Sequence, residues 1–318
     1  MNYRVYGVLG ISSIMSNWNA DFSGFPKTTF DGSIFGSDKA LKYPMKKMWE
    51  NEGEKVLYIK SLKISHDDKK NETSVVPRSL KERYEQLFGI EDLSKIKNTE
   101  DVLRNIFTAI DVKNFGATFA EEGNNISITG AVQIGQGFNK YADAVAEEQQ
   151  ILSPFRDRTK DGKGDEDKGE AKNSTLGTKI FCKEAHYIYP FVINPLAYSD
   201  YVEMGVTNGY TEEDYLRFKK TALVAVTSYA TNSKVGCENE LAVFVVTKQD
   251  TYLPNLSEYV VFEKNEEKNI IRLEFGDLLR ELKDNIKSIE IYYNPYTTEI
   301  KGDVEGAKRY NIFTQKEV

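Results

Sequence analysis

Histidine and cysteine are nearly missing: 318 residues hold two of each. Cys182 and Cys237 stand far apart with no Cys-x-x-Cys partner. That spacing excludes a disulfide framework and a thiolate zinc site, and fits free thiols in a reducing compartment. His66 lies in a polar stretch and His186 in an apolar one, and neither has companions at catalytic or metal-ligand spacing. No apolar run approaches the roughly 18 residues that cross a bilayer. The opening Met1-Asn2-Tyr3-Arg4-Val5 is not a charged leader followed by an apolar region and a cleavage site. A cytoplasmic protein with no membrane partner is expected. Gly130, Gly135 and Gly137 lack the Lys-Ser/Thr of a phosphate loop, and no dinucleotide unit surrounds them. Neither a cofactor nor a metal is expected.

An overall excess of positive charge is also missing. The formal net charge is −7, which excludes a general nucleic-acid sponge, because non-specific affinity grows with the phosphates neutralised. Yet Met1 to Trp49 carries six basic residues (Arg4, Lys27, Lys39, Lys42, Lys46, Lys47) against three acids (Asp21, Asp31, Asp38). Lys39, Lys42 and Lys46 follow i, i+3, i+7 spacing and share a helix face, with Leu41, Met45, Met48 and Trp49 on the adjoining one. Ser37 is a suitable N-cap, and its hydroxyl and the first free N–H groups suit a phosphate oxygen. Pro44 predicts a kink or a new helix start. Such a face is either an ordinary solvated helix surface or a phosphate-binding one; any RNA binding belongs to a focused groove.

The rest of the chain alternates strand and helix signals. Strands are predicted at Tyr3 to Ile11, feeding a Ser/Asn loop, and at Val56 to Ile64, with His66 to Thr73 a polar turn. Helices follow over Pro77 to Phe88 and from Thr99, the latter with Thr99 as cap. Ile126 to Ile134 reads as one strand. Ile126 to Phe138 and Lys179 to Asn194 are expected to pair as a long hairpin. Between these flanks, Asp157 to Lys172 holds six acids, five bases and three glycines, a composition that predicts mobility. A helix over Glu212 to Tyr229 capped by Thr211, a central strand at Leu241 to Thr247, strands at Tyr259 to Glu263, Asn269 to Phe275 and Ser288 to Tyr293, and a helix at Asp277 to Asn285 complete the pattern. The tail from Tyr296 carries no firm signal. The class is α+β, in one domain spanning 1–318.

Four strings in order, Ile14-Met15-Ser16-Asn17-Trp18-Asn19-Ala20-Asp21, Ile34-Phe35-Gly36-Ser37-Asp38-Lys39-Ala40-Leu41-Lys42, Asp111-Val112-Lys113-Asn114-Phe115-Gly116-Ala117 and Thr129-Gly130-Ala131-Val132-Gln133-Ile134-Gly135, resemble the "Cas seven" family. These are the backbone subunits of type I CRISPR Cascade complexes, and the resemblance is strongest to the subtype I-B branch. It implies a palm of RNA-recognition-motif-like (ferredoxin-like) fold, fingers inserted at about 54–101, and a thumb hairpin at about 131–189 with a flexible tip at 157–172. It also implies a non-catalytic subunit that polymerises head to tail along a CRISPR RNA, joins other Cascade subunits, and presents the guide for pairing with target DNA.

Carried over residue by residue, the resemblance assigns Ser37, Lys39, Lys42 and Lys46 to the guide backbone and Ser16, Asn17 and Lys27 to loop contacts. Asn114, Phe115, Gln133, Gly135 and Gly137 would line the channel at the base of the thumb. Ile151, Leu152 and Phe155 are candidates for the wedge that displaces a base, with plain hairpin packing the alternative. Two other functions stay open. One is a guide-dependent RNA endonuclease of the type III backbone kind, in which Asp21 would be catalytic; the other is a general single-stranded RNA-binding module.

Overall fold

Valine, tyrosine, leucine and isoleucine at the start of the chain build a strand that runs further than its apolar part. The computed structural model describes residues 1–67, 72–152 and 175–318, beginning with β1 (Tyr3–Ser16). The stretch predicted as a Ser/Asn loop therefore continues the strand through Ser16. Ser13 and Ser16 are buried there because their hydroxyls satisfy each other at 2.9 Å. A short β2 (Phe35–Gly36) leads into α1 (Asp38–Asn51), where Ser37 accepts from the Ala40 amide as N-cap. Helix α1 continues through Pro44 rather than restarting at it.

Next come β3 (Leu62–Asp67) and β4 (Glu72–Pro77), a hairpin in which His66 pairs with Thr73. The predicted strand at Val56 to Ile64 thus begins only at Leu62, and the predicted polar turn supplies hairpin strands. Helices α2 (Leu80–Phe88), α3 (Thr99–Phe107) and α4 (Ile110–Phe115) follow; α3 is capped by Asn98, one residue before the predicted Thr99. The expected single strand at Ile126 to Ile134 divides at Gly130. β5 (Gly116–Phe119) pairs with β6 (Ile126–Thr129), whereas β7 (Val132–Ile134), β8 (Gly137–Asn139) and β9 (Ala146–Leu152) all pair antiparallel with β10 (Thr175–Ile193). The long hairpin therefore forms from Val132 onward, without Ile126 to Thr129. The predicted mobile segment 157–172 and Phe155 lie outside the described residues.

The second half supplies α5 (Ser199–Glu203), α6 (Glu212–Ser228) with a Thr211–Asp214 capping box, and β11 (Cys237–Lys248). It ends with β12 (Val260–Glu263), β13 (Asn269–Leu273), α7 (Gly276–Glu281), β14 (Ile286–Tyr293), β15 (Thr298–Lys301) and β16 (Ala307–Asn311). The main sheet runs β16-β14-β11-β1-β10-β8-β2, and β12-β13-β15 form a separate small sheet. The unsignalled tail thus provides β15 and β16, which pair parallel with β13 and β14.

Strand β11 explains the layering. Its apolar run is buried on both faces, as expected of a central strand. Ala242, Phe244 and Val246 join the core beneath α1 and α6, while Leu241, Val243 and Val245 join the core under the small sheet. The result is a mixed α+β fold, with α1 and α6 on one side of the main sheet and the small sheet and α7 on the other.

Candidate nucleic-acid interface

The same periodicity that buries one side of α1 exposes the other. Leu41, Pro44, Met45 and Trp49 are buried, so Lys39, Lys42 and Lys46 are left on the side facing a cleft of about 520 Å³. Tyr43, Tyr58, Gly116, Ala117 and Thr118 complete its walls. Gly116 takes φ +80°, and a Cβ there would strike the Ile128 carbonyl. Only glycine allows α4 to turn into β5 this tightly.

The three lysines are held differently. Lys39 is exposed. Lys42 reaches back one turn to Asp38 at 2.8 Å, and its ammonium lies 5.2 Å from the centre of the Phe115 ring. Lys46 is largely covered. Its ammonium stands 3.6 Å from Asp111 and donates to the Tyr58 carbonyl at 3.3 Å, with the Tyr58 and Phe115 rings at 5.7 and 5.9 Å. Burial pulls its pKa down, with the Asp111 carboxylate opposing. Phe115 packs on Trp49 at 5.7 Å, so this ring forms an aromatic floor under two ammonium groups. The cleft therefore offers fixed cations over aromatic faces, a surface suited to a phosphodiester strand.

Other predicted residues lie elsewhere. Ser16 is buried against Ser13 and Cys237 and does not reach the surface. Asn114 is fully buried, donating to the Ile110 carbonyl and accepting from the Tyr210 hydroxyl, both at 2.8 Å; it orders the core and does not line a channel. Gly137 is buried against the Tyr189 ring. Gln133 and Gly135 line a different, largely apolar cleft of about 340 Å³ with Tyr6, Pro190 and Leu256. Asn17 and Ile151 meet in a third cleft of about 460 Å³, with Phe25, Lys179 and Lys234. Asn17 is itself buried, its amide donating to the Gly24 carbonyl at 2.8 Å. Leu152 is exposed at the end of β9. Lys27 lines a fourth cleft with Phe22 and Phe35.

Asp21 is spent locally. Its Oδ1 accepts from the Ser23 amide at 2.8 Å, the Ser23 hydroxyl at 2.7 Å and the Phe25 amide at 3.1 Å, and the Ser23 hydroxyl chiefly lowers its pKa. His186 is buried between Glu240 and Glu184, away from the lysine cleft. Among the described residues no cluster of His, Cys, Asp or Glu is arranged to hold a metal, and no helix is long and apolar enough to cross a membrane.

The family model described as CRISPR-associated protein Cas7 matches residues 3–290. The chain belongs to the Cas7 family. This Cas7 chain also superposes on a chain of a solved "CRISPR RNA-guided surveillance complex, pre-nicking" with a TM-score of 0.56 at 12% identity, covering 97% of this chain and 96% of that one. A chain of a second CRISPR RNA-guided surveillance complex gives 0.48 at 14% identity, covering 95% and 94%. The first likeness establishes a shared fold. No curated protein matches the Cas7 chain significantly.

Tyr43, Tyr58 and the wall Gly116 to Thr118 line this cleft without having been assigned to it from the sequence. Tyr43 had a usable signal: it sits between Lys42 and Pro44 on the exposed side of α1. Tyr58 had none, because its place depends on Asp111, far along the chain.

Proposed function

We propose that this Cas7 chain is a non-catalytic guide-RNA-binding backbone subunit of a type I Cascade complex, of the subtype I-B kind. It polymerises head to tail along the CRISPR RNA beside other Cascade subunits and presents the guide to target DNA in the cytoplasm. The observation that carries the reading is the lysine cleft between α1 and β5. Its cations grip phosphates without regard to sequence, leaving sequence to base pairing.

The order β11-β1-β10-β8, with α1 and α6 on one face, supports reading residues 1–318 as one ferredoxin-like, RNA-recognition-motif-like palm. The β3–β4 hairpin and its flanks then supply fingers at about 54–101. Strands β7 to β10 supply the thumb at about 131–189, where Ile151 and Leu152 stand as wedge candidates. The engagement of Asp21 in its own turn weighs against the nuclease reading. Sequencing the RNA that co-purifies with the chain tests the proposal: CRISPR RNA is expected, and RNA of mixed origin would favour a general single-strand binder instead.

A further inference from the structure

The loop between β1 and β2 presents aromatic rings on a fixed backbone. Amide-to-carbonyl bonds run from Asp21 to Phe25 at 2.8 Å, from Lys27 to Asn19 at 2.9 Å, from Thr29 to Ser33 at 2.9 Å and from Phe35 to Lys27 at 3.0 Å. At the tip of the first turn Phe22 is fully exposed, so its ring adds nothing to the core and instead presents an apolar face to water. It forms one wall of a cleft of about 480 Å³ whose other lining includes Phe35 and Lys27. Phe35 is braced by Phe138, with ring centres 6.0 Å apart. The one carboxylate on the wall, Asp21, is turned onto its own loop. Gly36 and Ser37 follow Phe35 directly and lead into α1, so this cleft and the lysine cleft flank the same helix end.

We propose that Phe22 and Phe35 form a stacking station for an unpaired nucleobase, with Lys27 on the adjoining phosphate, in a single strand crossing the N-terminus of α1. The inference rests on the RNA-binding reading given above. Two rings and a neighbouring ammonium match the two chemistries of a single strand, since every base has a stackable face and every nucleotide a negative charge. The base belongs either to the guide or to a target strand paired with it nearby.

The test uses the full-length chain with poly(U) RNA, then with poly(dA) added. Trp18 and Trp49 are buried, so an indole placed at position 22 by Phe22→Trp reports on that surface. Quenching by poly(U) alone assigns the station to a guide strand; quenching only after poly(dA) assigns it to a target strand; either supports the inference. Phe22→Ala should weaken binding about fivefold while leaving the salt slope unchanged, because stacking releases no counterions. If RNA binds with Lys39-dependent affinity but the Phe22→Trp signal is static and Phe22→Ala is neutral, the stacking station is overturned and the lysine cleft stands. Absence of any RNA binding overturns both. A signal that follows protein concentration without nucleic acid assigns the surface to contacts between copies and overturns the inference.

Discussion

The ammonium of Lys46 stands 3.6 Å from the Asp111 carboxylate, and this pair joins the lysine-bearing helix to the segment across the cleft. Asp111 accepts from the Leu57 and Tyr58 amides, each at 2.8 Å. It thereby fixes the loop that carries the Tyr58 ring. Lys46 is thus a structural counter-ion as well as a cleft residue.

Removing Lys46 should therefore cost stability before it costs binding. Lys46→Ala leaves the buried Asp111 carboxylate without its counter-ion, a loss of about 3 kcal/mol, whereas Lys39→Ala on the exposed surface should change stability by less than about 0.5 kcal/mol. Urea unfolding of the two variants checks this. Equal midpoints would show that the Lys46–Asp111 pair does not hold the cleft together.

The entry to α1 depends on a second buried contact. Trp18 Nε1 donates to Tyr189 Oη at 2.6 Å, and a Cβ on Gly36 would overlap both side chains. Tyr189→Phe leaves the indole N–H without a partner and should destabilise by about 1–3 kcal/mol. Gly36→Ala should also destabilise, through overlap, while leaving both polar groups present. Urea midpoints matching the parent would remove this contact from the account.

His186 makes stability depend on pH. Its Nδ1 lies 2.8 Å from Glu240 and its Nε2 3.1 Å from Glu184; donating to both requires the imidazolium. Lys264 pairs with Glu184 at 2.7 Å, and the Phe262 and Tyr141 rings enclose the site. Burial pulls the pKa down, but the Glu240 and Glu184 carboxylates outweigh it and hold the group above its ordinary 6.5. A raised folded-state pKa means the stabilisation is complete below about 6.5 and is lost as pH climbs through the folded value. The parent's melting temperature should fall across that window more steeply than that of His186→Gln. Parallel slopes would mean that His186 is not charged in the fold.

Local signals were legible in the sequence, and among long-range pairings the hairpin flanks were legible from Val132 onward. Ser37 and Thr211 each cap a helix through a bond spanning three residues, and the β11 run announces a strand buried on both faces. Ser16 and Asn114 misled because a polar side chain satisfied in the core has the same letter as one in a groove. Beside the near neighbours Ser13 and Ile110, each has a partner distant in sequence, Cys237 for Ser16 and Tyr210 for Asn114. Strands β15 and β16 were missed for a related reason: parallel pairing with β13 and β14 leaves no turn signature between partners. The lysine spacing on α1 found one wall of the cleft. The opposite wall, Gly116 to Thr118, is brought there by packing.

The most direct test is the salt dependence of single-stranded RNA affinity for the parent and for Lys39→Ala/Lys42→Ala, variants that spare the Lys46–Asp111 pair. Two phosphate contacts removed should weaken binding and flatten the slope of log K against log salt by about 1.4, since each contact on a single strand contributes about 0.7. Unchanged affinity and an unchanged slope would contradict a lysine cleft that holds the guide.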